Sequence, residues 1–132
     1  MMSIKLRPAT IEDAQDLFRW KNDPVTRRFS ILTKNKIKWE DHLEYLNKNI
    51  GSFQIITDGE NSFGAIRITD EVAIWLDKKY RGKGIAFEAL QQIIERGMVA
   101  KIVNGNIASF RLFISLGFKP IEYMGGYYIL KL

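Results

Sequence analysis

The chain contains no cysteine and a single histidine, His42, and these two shortages exclude several kinds of chemistry. Disulfides, thiolate metal sites and a cysteine nucleophile are excluded, and one histidine cannot build a multi-histidine metal centre. No apolar run reaches the roughly 18 residues that a membrane span needs, and the N-terminus lacks a signal-peptide pattern. We therefore expect a cytoplasmic protein that contacts no membrane and holds no metal.

The chain has 132 residues, which suit one domain over 1–132, and 46% of them are hydrophobic, which is enough for a core. The net charge of +5 favours an anionic ligand, either a nucleic acid or a polyanionic small molecule. The basic residues are scattered, and no predicted helix has a continuous basic face with interleaved aromatic residues. We therefore expect no nucleic-acid partner, and a nucleic-acid binder remains an alternative that rests on charge alone.

The spacing of apolar residues predicts the element order β-α-α-β-β-β-α-β-α-β-β, with one further short helix starting at Pro24. This order is typical of an α/β fold with a mixed sheet. The run Val72–Leu76 is apolar on both faces, which predicts a central strand, and a parallel crossover should connect it to Val99–Val103 through a helix over Ile85–Arg96. The last strand, Tyr127–Leu132, should present an open edge, so that a monomer and a homodimer both remain open.

The glycine-rich turn Arg81–Ala86 is the most informative stretch, because it joins an apolar strand to a helix. Glycines allow a positive φ and a close approach of a ligand, while free N–H groups at a helix start attract anions. A Walker-type loop is excluded because no Ser or Thr follows a Gly-Lys pair, and Phe87 breaks the dinucleotide pattern. The turn predicts a phosphate site, although a turn that merely joins two elements has the same sequence.

Two motifs resemble signatures of the GNAT acetyltransferase superfamily. The turn resembles its Arg/Gln-x-x-Gly-x-Gly/Ala signature, and Asn106-x-x-Ser109-x-x-x-Phe113-x-x-x-Gly117-Phe118 resembles its second signature. The resemblance implies a three-layer fold, in which a central mixed and mostly antiparallel sheet is flanked by helices and splayed between two parallel strands. It also implies that acetyl-CoA is the co-substrate and that an amine attacks its thioester directly.

The resemblance further implies which residues contact the coenzyme. Its diphosphate would lie on the turn formed by Arg81, Gly82, Lys83, Gly84, Ile85 and Ala86. Its pantetheine arm would pair with the backbone of Ile74 and Leu76, one of whose amides would steady the negative oxygen of the tetrahedral intermediate. Asn106 would bond the pantetheine, although helix capping also explains an asparagine there.

Phe113 would also contact the coenzyme, at a position where many relatives carry the tyrosine that protonates the departing thiolate. A phenyl ring cannot do so. The thiolate then leaves unassisted, or another hydroxyl such as Tyr45 or Tyr123 protonates it, or the chain is a non-catalytic CoA-binding module.

The candidates for the general base are Glu71 and His42. Glu71 precedes the strand beside the cleft and would take the amine proton directly or through a water, but a solvated strand-end charge is equally consistent. His42 titrates near neutral pH, yet it shares an apolar face with Trp39 and Leu46, which favours a packed histidine over a catalytic one.

The N-terminal part of the chain is similar to superfamily members that acetylate amino groups on nucleotide-linked sugars. Trp20, Asn22 and Arg27 lie where this resemblance implies substrate-facing helices, and Arg27 would meet a substrate phosphate or form an ordinary surface pair. The implied function is acetylation of a small-molecule primary amine, with an amino-sugar nucleotide as acceptor. The alternatives are a protein or peptide N-acetyltransferase of ribosomal-protein type and the non-catalytic module.

Overall fold

The computed structural model describes residues 3–31 and 35–132, in which short helices surround two antiparallel sheets. The strands are β1 (Lys5–Pro8), β2 (Phe53–Thr57), β3 (Ser62–Ile68), β4 (Val72–Leu76), β5 (Val99–Val103), β6 (Lys119–Tyr123) and β7 (Tyr127–Lys131). The α-helices are α1 (Ala14–Lys21), α2 (Pro24–Arg28), α3 (Trp39–Asn49), α4 (Ile85–Gln91) and α5 (Ile107–Ser115). No helix in these ranges combines the length and the apolar character that crossing a membrane requires.

The two sheets meet at strand edges that are not hydrogen-bonded to each other. The first sheet has the order β1-β2-β3-β4 and the second has the order β5-β7-β6. Every pairing between the described strands is antiparallel. Strands β4 and β5 are therefore the facing edges of two separate ladders, and each keeps unpaired backbone groups on one side.

Three sequence predictions differ from the structure. The strand predicted to be central, β4, lies at the edge of its sheet, because no ladder joins it to β5. The last strand, β7, lies in the middle of its sheet and not at the open edge that the sequence predicts, and β6 is the edge instead. Helix α4 ends at Gln91 and does not reach Arg96, since the backbone N–H groups of Gln92 and Ile93 donate to carbonyls only three residues earlier instead of four.

Carboxylates fix the beginnings of the N-terminal helices. The Asp13 carboxylate accepts the backbone N–H of Thr10 at 2.8 Å and pairs with both terminal nitrogens of Arg7 at 2.8 and 2.9 Å. Hydrogen bonds from Arg7 hold the pKa of Asp13 below its usual value, against the opposing effect of burial. Asp23 caps α2 by accepting two backbone N–H groups at 2.9 and 3.3 Å, and Pro24 supplies the first helical residue.

Two hydrophobic clusters cover the two faces of the first sheet. Helices α1 and α3 pack on one face, where the fully buried residues include Leu17, Leu46 and Phe53. The second cluster joins the other face to α4, α5 and the second sheet, and it includes Leu90 and Leu130. Burying one such side chain contributes about 1.5–3 kcal/mol, so both layers of helices hold the first sheet firmly.

A buried carboxylate, Asp77, anchors the end of β4 to helix α1. Its oxygens accept hydrogen bonds from Arg19 at 2.5 Å, from Trp20 Nε1 at 3.3 Å and from the backbone N–H of Lys79 at 3.2 Å. Burial raises the pKa of Asp77, but the hydrogen bonds from Arg19, Lys79 and Trp20 outweigh burial and lower the pKa overall. The carboxylate therefore stays an acceptor for all three donors at neutral pH.

We predict that Asp77→Asn lowers the free energy of unfolding at pH 7 by about 2–3 kcal/mol, because a neutral amide cannot accept from all three donors. Urea denaturation of the purified protein measures this change. Asp16→Asn is the matched control, since Asp16 also pairs with Arg19, at 3.0 Å, but is 42% exposed. The control should lose less than about 1 kcal/mol, and equal losses in the two variants would contradict the anchoring role.

Candidate active site

A cavity of about 1070 Å³ lies between the facing edges of β4 and β5. Its other walls come from α2 and the described residues that follow it, and from α3, α4 and α5. The structure brings to it most of the residues that the sequence singled out: His42, Glu71, Ile74, Leu76, Arg81, Gly82, Gly84, Ile85, Ala86, Asn106 and Phe113. Its volume slightly exceeds the range of about 300–1,000 Å³ that is usual for small-molecule sites in proteins.

The backbone of β4 has hydrogen-bonding groups free on the side away from β3. The N–H of Asp77 donates to the carbonyl of Phe63 at 2.8 Å, so this position bonds toward β3. Bonded positions alternate along an antiparallel ladder, and the backbone groups of Ile74 and Leu76 therefore point away from β3. Ile74 thus presents its N–H and C=O groups at the open edge, and so does the N–H of Leu76, while the Leu76 carbonyl accepts a hydrogen bond from Arg81 Nε at 3.2 Å.

The glycine-rich turn follows this edge and lines the cavity. Gly82 and Gly84 have φ angles of +74° and +79°, which other residues rarely adopt, and an added Cβ would find no atom within 4 Å at either position. Within the described chain, the N–H groups of Gly82, Lys83 and Gly84 donate to no other residue. The turn is thus an open concave stretch of backbone with unused donors, a geometry that binds anions.

The two basic side chains of the turn have different positions. The Nε of Arg81 donates to the carbonyl of Leu76 at 3.2 Å, and its Nη2 lies 3.6 Å from the Asp23 carboxylate. Arg81 therefore fixes the turn to the end of β4 and to α2. Lys83 is exposed and is absent from the cavity lining, so its position in the turn does not bring its side chain to the site.

On the opposite wall, α5 contributes Asn106 and Phe113. The Oδ1 of Asn106 accepts the backbone N–H of Ser109 at 3.3 Å, which caps the helix and leaves the Nδ2 group without a partner in the described chain. Phe113 is 2% exposed and packs edge-on against Phe118 with ring centroids 5.0 Å apart. The wall therefore offers one amide donor and an apolar ring, but no hydroxyl at Phe113.

Glu71 directly precedes the first residue of β4 and lies between two cations. Its two carboxylate oxygens lie 3.6 Å from Arg67 Nη2 and 3.4 Å from Lys101 Nζ. Arg67 is on β3 and Lys101 is on β5, so this carboxylate links the two sheets that are not joined by backbone bonds. Its side chain is 23% exposed, which leaves it accessible from the cavity.

His42 is 1% exposed, and its Nε2 lies 2.8 Å from the carbonyl oxygen of Ala14. A carbonyl only accepts, so Nε2 carries the proton and Nδ1 keeps its lone pair. Nδ1 is buried and has no partner among the described residues. Burial is the main cause that lowers the pKa of His42, and the charge of Lys21 adds to it, while the bond to Ala14 opposes it.

The three residues predicted to face the substrate do not line the cavity. The Trp20 ring is 2% exposed in the core, and its Nε1 bonds Asp77. The Asn22 side chain bonds both backbone groups of Ile37, at 2.7 and 3.1 Å, and Arg27 Nε donates to the Asn22 carbonyl at 3.1 Å. Asn22 and Arg27 thus hold the segment around Ile37, which does line the cavity.

The two tyrosines offered as alternative proton donors lie in different places. Tyr123 is 48% exposed on β6, outside the cavity lining, and its hydroxyl donates to the Gly125 carbonyl at 3.1 Å. Tyr45 on α3 lines the cavity, and its hydroxyl accepts a hydrogen bond from Arg67 Nη1 at 3.3 Å. Only Tyr45 therefore brings a phenol to the site.

Sequence reasoning missed five basic residues that line the cavity, namely Lys21, Lys36, Lys38, Arg67 and Lys101. Arg67 carried a signal, because it interrupts an apolar strand on the face that α3 covers. Lys21 carried a weaker one, since it follows Trp20, and one step along a helix turns a side chain from the core to a neighbouring face. Burial lowers the pKa of Lys21 to about 8, with a further contribution from the charge of Arg67.

The lining as a whole is basic. Its acidic members in the described chain are Asp41 and Glu71. Its basic members are more numerous: Lys21, Lys36, Lys38, Arg67, Arg81 and Lys101. A cavity with this balance favours anionic ligands.

Comparisons with known proteins agree with the motifs. An uncharacterised protein of Methanocaldococcus jannaschii is 26% identical in an alignment of 138 positions that covers 90% of this chain and 28% of that protein. The chain thus spans less than a third of the length of this curated relative. A domain of known structure from the same organism is 25% identical, with a TM-score of 0.84 over 100% of this chain and 99% of that one.

Two solved acetyltransferases have the same fold at lower identity. Spermidine N-acetyltransferase of Vibrio cholerae, solved with CoA and spermine, is 17% identical, with a TM-score of 0.79 over 97% of this chain and 92% of that one. Ribosomal-protein-alanine N-acetyltransferase of Brucella melitensis is 22% identical, with a TM-score of 0.73 over 96% of each chain. The fold predicted from the resemblance is thereby confirmed.

The predicted family is confirmed as well, by a match that extends over most of the chain. Residues 3–119 match the acetyltransferase (GNAT) domain, which includes both walls of the cavity and the turn between them. The chain therefore belongs to the acetyltransferase (GNAT) domain family.

Proposed function

We propose that this chain is an N-acetyltransferase that moves the acetyl group of acetyl-CoA to a primary amine. The observation that carries the proposal is the open edge of β4, which runs directly into the glycine-rich turn along one wall of a single cavity. An extended arm can pair with the edge while a diphosphate occupies the turn, and CoA has this combination of parts. Family membership and the unused amides of the turn support the same assignment.

The residues present fit CoA as follows. The amides of Gly82, Lys83 and Gly84 would hold the diphosphate through charge-assisted hydrogen bonds. The outward backbone groups of Ile74 and Leu76 would pair with the pantetheine, and the free Nδ2 of Asn106 would donate to it. An amide of β4 would also stabilise the negative oxygen that develops when the thioester is attacked, an effect worth about 3 kcal/mol in comparable sites.

Glu71 is the favoured proton acceptor. An ammonium group has no lone pair, so the amine substrate must lose a proton before it attacks the thioester. Glu71 is a charged carboxylate that reaches the cavity from the entrance of β4. His42 is the weaker candidate, because it is almost fully buried and burial lowers its pKa.

Phe113 has no hydroxyl, so it cannot protonate the departing thiolate. Of the two hydroxyls considered, we favour Tyr45, because it lines the cavity and Tyr123 does not. The alternative is a non-catalytic CoA-binding module, which the phenyl ring at Phe113 motivates. Tight binding of CoA without turnover on a broad amine library would select that alternative.

For the acceptor we propose an amino-sugar nucleotide, which the basic lining of the cavity supports. Solved proteins of this fold are named for acceptors as different as spermidine and a ribosomal protein, so the fold alone does not select one. Incubation with acetyl-CoA and separate panels of amino-sugar nucleotides, N-terminal peptides and polyamines tests the proposal, with mass spectrometry of the products. Turnover on peptides alone would favour the ribosomal-protein type.

We predict that Gly84→Ala weakens CoA binding by roughly 5- to 30-fold, because a left-handed residue with a Cβ costs about 1–2 kcal/mol and displaces the turn. Isothermal titration calorimetry with CoA measures the dissociation constant. Gly59→Ala is the matched control, since Gly59 also has a positive φ, of +103°, and open space around it, but lies in the β2–β3 connection. Equal CoA affinity in the two variants would argue against a binding role for the turn.

We predict that Glu71→Gln lowers kcat/KM for the acceptor about 100-fold at pH 7, because general-base catalysis typically contributes that much or more. The deficit should shrink at higher pH, where more of the amine is already deprotonated, while CoA affinity stays unchanged. Steady-state kinetics from pH 6.5 to 9.5 test both points. Glu44→Gln, a change at a 73% exposed carboxylate on α3, serves as the control, and an unchanged rate in Glu71→Gln would eliminate this base.

A further inference from the structure

Lys21 places a cation in the cavity without a neutralising partner. Its Nζ lies 4.4 Å from the ring centroid of Tyr45 and 5.8 Å from that of Phe53. No ion pair joins it to any carboxylate in the described part of the chain, and Glu71 pairs instead with Arg67 and Lys101. The ammonium group is thus held by aromatic faces, which attract a cation but leave its charge uncompensated.

Arg67 lies in the same wall with a fixed orientation. Its Nη1 donates to the Tyr45 hydroxyl at 3.3 Å, and its guanidinium carbon lies 5.3 Å from the Trp75 ring centroid. Its Nη2 lies 3.6 Å from Glu71, while its buried Nε has no partner among the described residues. Arg67 therefore keeps an unused donor while its other contacts prevent the side chain from turning away.

Two neighbouring cations in a half-buried wall destabilise each other. Burial and the charge of Arg67 both disfavour the protonated form of Lys21, which lowers its pKa. Glu71 neutralises only part of the positive charge in this wall, because its carboxylate is shared between Arg67 and Lys101. Arrangements that cost stability in this way are concentrated at functional sites, where a ligand supplies the missing charge.

We propose that Lys21 and Arg67 together bind an anionic oxygen group, a phosphate or a carboxylate, that the acceptor carries in addition to its amine. The inference rests on the proposed function and assigns to two residues the recognition of a negatively charged acceptor, the class to which the proposed amino-sugar nucleotide belongs. Arg67 belongs to this subsite and also pairs with Glu71. An acceptor whose anion is bound by Arg67 therefore has its amine near the proposed base. Polyamines are disfavoured, since the subsite repels a second positive charge.

Matched acceptors that differ by one anion test the proposal. Glucosamine 1-phosphate compared with glucosamine shows the effect of a phosphate on the rate. Leucine compared with leucinamide shows the effect of a carboxylate. Spermidine represents the polyamines. In the wild-type protein, kcat/KM should be roughly 10- to 100-fold higher for the charged member of at least one pair. The pair that shows the preference identifies which of the two anions the subsite takes.

Lys21→Met should abolish this preference mainly through a higher KM for the charged acceptor, while CoA affinity stays the same. Lys21→Arg should retain the preference, and Lys21→Gln provides a second neutral variant. Thermal unfolding checks the fold, and Lys21→Met should unfold at or above the wild-type temperature, because a half-buried charge has been removed. Lys48→Met is the control for net charge, since Lys48 is 74% exposed on α3.

The outcomes separate the inference from the proposed function. Acetylation of amines with no preference for charged members, or a preference that survives in Lys21→Met, overturns the anion subsite and leaves the acetyltransferase proposal standing. Failure to acetylate any amine overturns the proposed function instead. In that case, titration of inorganic pyrophosphate into CoA-saturated protein decides the subsite: weaker binding in Lys21→Met than in wild type supports it, and equal or absent binding overturns it.

Discussion

The missing hydrogen bonds between β4 and β5 are the constraint on which the rest of this structure depends. Backbone N–H and C=O groups in a protein interior are nearly always paired, so two adjacent strand edges without a common ladder need another partner. Here the gap between them is the cavity, and the outward groups of Ile74 and Leu76 face it. An extended ligand that completes the edge therefore uses the N–H and C=O of Ile74 and the N–H of Leu76, which the fold leaves unpaired, while the Leu76 carbonyl already accepts Arg81 Nε.

Contacts of the surrounding side chains keep this gap open and hold the strands on its two sides in position. Asp77 holds the end of β4 to α1 through Arg19 and Trp20, and Arg81 ties the following turn to Leu76. Glu71 spans the gap by pairing with Arg67 on one sheet and Lys101 on the other. Side chains thus do the positioning that backbone hydrogen bonds do elsewhere in a sheet, which leaves the outward backbone groups of Ile74 free for a ligand.

Charge is distributed along the cavity in a way that fits two anionic ligands. The turn offers backbone donors at one end, and the wall that contains Lys21 and Arg67 offers side-chain cations. Glu71 lies in the same wall, where a reacting amine needs a proton acceptor. The three parts of the proposed reaction, a phosphate cradle, a base and an acceptor anchor, therefore share one continuous cavity.

Local sequence patterns determined most of the elements, the family and the turn, because strand alternation, helix spacing and glycine position act over a few residues. Tertiary structure alone decided that β4 is an edge strand and that β7 is internal, since an apolar run does not reveal which strand lies beside it. It also decided that Gly64 must lack a side chain, as an added Cβ would lie 2.1 Å from the Trp75 carbonyl. Likewise, Trp20 packs in the core while Lys21 and Arg67 meet at the cavity, because these positions depend on contacts between residues far apart in the chain.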